Sequence, residues 1–357
     1  MVSPGSPFVE QAPRPDCTIM RASIRWLCVL LVAMSAAPSA GRAQAGFQIG
    51  EQDRVRLAEA RRLADRLGER IWPGWGQTPF PVLLVGDSTE VLVGHSRPTG
   101  DFVRLGDDPA LGGEVRARPR RFSPTLLATF PAVGGIPTVV VGSAGATGKS
   151  STAWVLTLLH EHFHQLQYSQ PDYYPGVSRL DLARGDTTGQ WMLDYPFPYD
   201  SVPVQRAMRT LAAALARALE ARPNDRRVAL GDAVAARDTL RSRLTDADYR
   251  YLEFQLWQEG TARFIEYAAA RAAAGAGEPP AAFRMLPDYE PYGSAAERAH
   301  EMLRRELEHL DLGRQRRVAF YPVGAAVAMV LDRARPEWKR AYGRRPFALA
   351  ALLTADP

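Results

Sequence analysis

Apolar positions recur along this chain with two different periods. From Gln52 to Arg70, Val55, Leu57, Ala58, Leu63 and Leu67 fall largely on one side of a 3.6-residue spiral, which predicts an amphipathic helix. Between Pro79 and Gly142 the pattern shortens. Val82–Val85, Glu90–Val93, Leu126–Phe130 and Thr138–Val141 are β-rich runs cut by Gly, Pro and Asp, and they read as strands. Helical spacing returns after Ser151. It predicts helices over Thr152–Tyr168, Val204–Ala221, Arg226–Leu244, Asp246–Ala274, Ala295–Leu310 and Gly324–Ala334. A Pro/Tyr-rich loop is expected over 171–203 and a Gly/Ala/Pro loop over 272–280.

These elements give an α+β fold class: an N-terminal α/β part at 46–150, then a mainly helical part at 151–357. Residues 1–45 form an expected leader. Met20 is the expected true start, Arg21 and Arg25 are a positive flank, Trp26–Ala37 is apolar, and Ala43-Gln44-Ala45 is a small-x-small cleavage pattern. The mature chain is then expected in the periplasm or secreted, without stable membrane insertion, because no other segment is apolar over a bilayer's thickness.

Composition narrows the chemistry. Both cysteines, Cys17 and Cys28, lie in the leader, so a mature chain has no thiolate ligand, nucleophile or disulfide. The formal charge of +5 falls to about +3 without the leader. The arginine runs Arg116/Arg118/Arg120/Arg121 and Arg314/Arg316/Arg317 are expected on solvated faces, and no nucleic-acid partner is expected. Gly142–Ser150 (GSAGATGKS) looks like a phosphate-binding loop, but that loop needs Gly where Ser143 stands; a flexible lead into the next helix is expected instead.

The chemistry concentrates at His160-Glu161-His162-Phe163-His164, which has the H-E-x-x-H pattern. On a helix, His160 and His164 stack on one face and can bind one metal ion together. Glu161, about 100° round from His160, brings a carboxylate beside a water on that ion. His162, about 200° round, points away and is expected to pack or hydrogen-bond. A catalytic zinc site uses three protein ligands and one open position. Positions 167 and 170 are Gln, not His, so the third ligand should be a carboxylate on a later helix. Glu259, in Trp257–Tyr267 (WQEGTARFIEY), is the first candidate; Glu253 and Glu266 are next, and Glu266 is also placed to support a ligand histidine. Gly260, inside an apolar helix, marks a close approach, expected to be to the motif helix.

Leu158–Gln167 (LLHEHFHQLQ) with Trp257–Tyr267 resembles the gluzincin group of zinc metallopeptidases, in which H-E-x-x-H is completed by a downstream Glu. The resemblance covers these two segments. It implies a zincin-like fold, Zn2+ held by His160, His164 and Glu259, and Glu161 as general base. The order of parts, a β-containing region before the motif helix and helices after it, is usual for zincin-type hydrolases. The 95 positions from His164 to Glu259 exceed the interval in thermolysin-like and M1-type members, and no G-x-M-E-N signature is present. The expected activity is hydrolysis of a peptide or protein substrate. A metal-binding protein with little catalysis, or a zinc amidase or esterase acting on another substrate, are the alternatives. Tyr321 is the expected oxyanion donor, with His300 and Tyr267 as alternatives. Oligomeric state is not readable from the sequence.

Overall fold

The fold comes from a computed structural model that describes residues 49–335 and 337–354. The expected leader lies outside the described residues. The fold is mixed α+β, with one six-stranded sheet and a mostly helical remainder. No helix of the described residues is long and apolar enough to cross a membrane.

The first helix, α1 (Glu51–Ile71), has acidic residues in its first turn, where they favour the positive helix end, and buries Leu57, Ala60, Leu63, Ala64 and Leu67 along one stripe. Six strands follow: β1 (Val82–Val85), β2 (Thr89–Val93), β3 (Val103–Asp108), β4 (Gly113–Pro119), β5 (Leu127–Val133) and β6 (Ile136–Gly142). Their order across the sheet is β3-β4-β2-β1-β6-β5, and only β1 and β6 run parallel. Alternation along the strands makes two apolar faces. Val82, Leu84, Val91, Val93, Val139 and Val141 meet the helices, while Leu83, Val85, Leu92 and Val140 pack under Phe102 and Val133.

Strands β3 and β4 were not expected. Their charged residues hid them: β3 is a largely exposed edge strand, and β4 carries Arg116 and Arg118. The expectation of a wholly solvated arginine run fails at Arg118. This side chain is buried, its Nε 2.7 Å from Oε2 of a fully buried Glu90, and its guanidinium lies over the Phe102 ring.

The motif helix α2 (Ser151–Ser169) leaves the sheet after a short loop. The Ser150 side chain caps its first turn, and Asp288 accepts from the Ser151 N–H. Buried nearly all round, it lies between the sheet and the later helices. Trp154, Val155, Leu158, Leu159 and Phe163 are at most 1% exposed, each stabilising the fold by roughly 1.5–3 kcal/mol.

The expected 171–203 loop contains a short helix, α3 (Tyr173–Arg179), and one helical turn at Trp191–Asp194, because Tyr173, Trp191, Tyr195 and Phe197 bury their rings in the core. Helices α4 (Val202–Glu220) and α5 (Arg226–Arg241) follow. The single helix expected over 246–274 is three pieces in line: α6 (Asp246–Gln255), a π turn (Leu256–Gly260) and α7 (Thr261–Ala274). Then come α8 (Tyr292–Glu308), α9 (Phe320–Ala334) and α10 (Trp338–Arg344), the last not expected. The neighbour that Gly260 admits is α9, not the motif helix: a Cβ on Gly260 would lie 2.4 Å from the Gly324 Cα. Small residues at both positions let the two backbones touch.

Candidate metal centre

The α2 backbone presents His160, Glu161 and His164 as a buried group able to hold a metal ion, their ligand atoms all within 4.8 Å of one another. The π turn brings Glu259 opposite. Its Oε2 lies 3.9 Å from His160 Nε2 and 3.7 Å from His164 Nε2. Four ligands about 2.1 Å from one ion, tetrahedrally placed, sit about 3.4 Å apart. The two nitrogen–oxygen separations are therefore a few tenths of an ångström wider than in a tetrahedral set. A π turn shifts the residues after it round the helix axis relative to an α turn, and such turns recur at functional sites. The exposed Glu259–Arg263 pair that plain helical spacing would allow does not form; Arg263 instead joins Glu266 and Glu306.

The other ring nitrogen of each histidine is already used. His160 Nδ1 donates to Glu266 Oε1 over 2.8 Å. His164 Nδ1 donates to Gln167 Oε1 over 2.6 Å. Such bonds fix the tautomer in which both Nε2 lone pairs face the same space. Burial opposes a charge on His160, but the carboxylates of Glu266, Glu161 and Glu259 together outweigh it and raise its pKa. Burial likewise opposes the charge on Glu266, but Arg263 and His160 hold its carboxyl below the usual range.

Gln167 does more than replace a histidine. It is fully buried, and its Nε2 donates to the backbone C=O of Trp257 and Gln258 and to the Tyr342 hydroxyl. One side chain thus ties His164 to the turn that carries Glu259. Its i,i+3 spacing from His164 was the available signal. Gln258 Nε2 lies 3.1 Å from the same Nδ1, which cannot accept from it while donating to Gln167.

Glu161 faces the sheet. The Thr129 hydroxyl lies 2.8 Å from its Oε2. Thr129 is on β5, an edge strand that pairs only with β6 among the described residues. The Leu126 C=O accepts from Gly142 N–H, so Leu127 and Thr129, at alternate positions, turn their amide groups to the open side. Tyr168, stacked on His164 one turn along, donates to the Thr129 C=O over 3.1 Å. Nothing in the sequence linked Thr129 to this helix.

His162 points away from the centre. It stacks on Phe80 with centroids 3.9 Å apart and bonds Gln165, and burial pushes its pKa down to about 3. Tyr321, at the start of α9, comes close enough to Glu259 for the carboxylate to act on its hydroxyl; burial first, then that carboxylate, raises its pKa, so the phenol keeps its proton. Tyr267 and His300 pack against each other, 6.0 Å between centroids, and neither has a hydrogen bond to the motif residues. Glu253 is spent elsewhere: it accepts from the Tyr249 hydroxyl and the Ala350 N–H.

Two neutral imidazoles and a carboxylate form a nitrogen/oxygen set suited to zinc and other borderline divalent ions. In comparisons with protein-family profiles, with curated proteins and with solved structures, nothing matches this chain.

Proposed function

We propose that the chain is an exported zinc-dependent metallopeptidase of gluzincin type, with a zincin-like arrangement of motif helix and edge strand. One observation carries the reading. Glu259 Oε2 lies within 3.9 Å of both His160 Nε2 and His164 Nε2, with the Glu161 carboxylate beside them and next to an open strand edge. Zinc at that point would supply a Lewis acid for a water and a carbonyl oxygen.

The chain's own groups supply the rest. Glu161, held by the Thr129 hydroxyl, takes a proton from the attacking water and passes it to the leaving amine. Tyr321 keeps its proton and can donate it as a hydrogen bond to the carbonyl oxygen as that atom gains charge. The outward N–H and C=O of Leu127 and the outward N–H of Thr129 offer an extended peptide a strand to pair with, which favours a peptide over a compact amide or ester substrate.

The test is Glu161→Gln, assayed on a peptide library beside metal content. The expected result is about one zinc per chain in both proteins, with cleavage reduced by about 10²–10⁴-fold in the variant. Zinc in both with no cleavage by either would favour the metal-binding protein with little catalysis.

A further inference from the structure

The arginine run at 314–317 does not lie wholly on a solvated face. Asp311–Gln315 forms a capped helical turn that ends at Arg316, whose φ of 52° is rare for a residue with a side chain. The bend sends the two neighbours in opposite directions. Arg316 goes outward, 2.8 Å from Asp200 and over the Tyr199 ring. Arg317 turns inward, and its side chain is 21% exposed. Its Nη1 donates to Tyr321 Oη over 2.7 Å and lies 3.6 Å from Glu259 Oε1.

The Glu259 carboxylate is thus divided between two neighbourhoods. Oε2 faces the histidines, while Oε1 faces Arg317. We propose that Arg317 is a positioning residue of the metal centre: it holds Glu259 as a one-oxygen ligand and fixes the Tyr321 hydroxyl beside it. This rests on the metal site proposed above.

A carboxylate can meet an ion through one oxygen or both. A cation on Oε1 favours the one-oxygen mode and leaves a ligand position open for water. The same guanidinium nitrogen occupies a lone pair of Tyr321 Oη, so the tyrosine's own proton points away from Arg317. A lysine would keep the charge but not the rigid planar head that sets one nitrogen between both partners. The strained backbone at Arg316 has a plain use here, since a regular helical turn would not send adjacent arginines to opposite sides.

The test measures zinc affinity by chelator competition, and the visible spectrum of the cobalt-substituted protein, for wild type, Arg317→Met, Arg317→Lys and His160→Ala/His164→Ala. Arg317→Met should bind zinc about 10- to 100-fold more weakly, the range for losing a partner of a ligand, with a changed cobalt spectrum. Arg317→Lys should recover part of the affinity, which a loss of folding would not explain. If Arg317→Met matches wild type in both readouts while the double histidine variant loses metal, the assignment is overturned and the metal site stands. If wild type itself takes up no metal, the site and the assignment fall together.

Discussion

The two walls of the metal centre are built in opposite ways. One is a single stretch of α2, where His160, Glu161 and His164 lie within five residues and helical geometry alone aligns them. The other is assembled from the π turn at Leu256–Gly260 and the bend at Arg316–Tyr321, segments brought together where Gly260 meets Gly324 and Arg317 meets Glu259. The first wall depends on local periodicity. The second depends on a helix irregularity, a strained residue and a backbone contact across the fold. The motif wall should therefore tolerate changes that disable the opposite one.

Gly260→Val is the sharpest way to break the comparison. Its Cβ would fall on the Gly324 backbone, and overpacking there should cost about 3 kcal/mol. Chemical denaturation should show this loss, with metal binding weakened as the Glu259 turn is displaced. Unchanged stability would mean that the two backbones are not pressed together.

Gln167→Leu cuts the tie between the walls while leaving every proposed ligand in place. Losing the bond to His164 Nδ1 should weaken zinc about 30-fold, or about 2 kcal/mol. Equilibrium competition with a chelator would read it, and wild-type affinity would show that Gln167 only fills space.

Near neutral pH the smallest effect concerns the motif wall alone. His162 is held neutral in the fold, with a pKa of about 3 against about 6.5 in an unfolded chain. Below about pH 6.5 the unfolded state therefore binds the extra proton. Stability is full above that pH and falls by roughly 1.4 kcal/mol per pH unit until about pH 3. His162→Phe preserves the stack on Phe80 and should flatten this part of the stability–pH curve. Equal slopes in both proteins would show that His162 does not carry the acid sensitivity.

What the sequence revealed follows the same division. The helix α1, the four apolar strands and the motif helix are visible because burial imposes a period on their residues. Strands β3 and β4 are hidden because an exposed edge and a buried Arg118–Glu90 pair put charge where apolar alternation was sought. Glu259 is suggested by its apolar, Gly-containing surroundings, but the π turn that aims it leaves no periodic mark. Thr129 and Arg317 reach the site from distant parts of the chain, and Arg317 looked like one more surface cation until the bend at Arg316 turned it inward.

The most direct measurement is metal content by mass spectrometry on the purified chain, wild type beside His160→Ala/His164→Ala. About one zinc per wild-type chain, lost in the double variant, is the expected result. No metal in either protein after zinc is supplied would contradict the account and leave the buried histidines as packing groups.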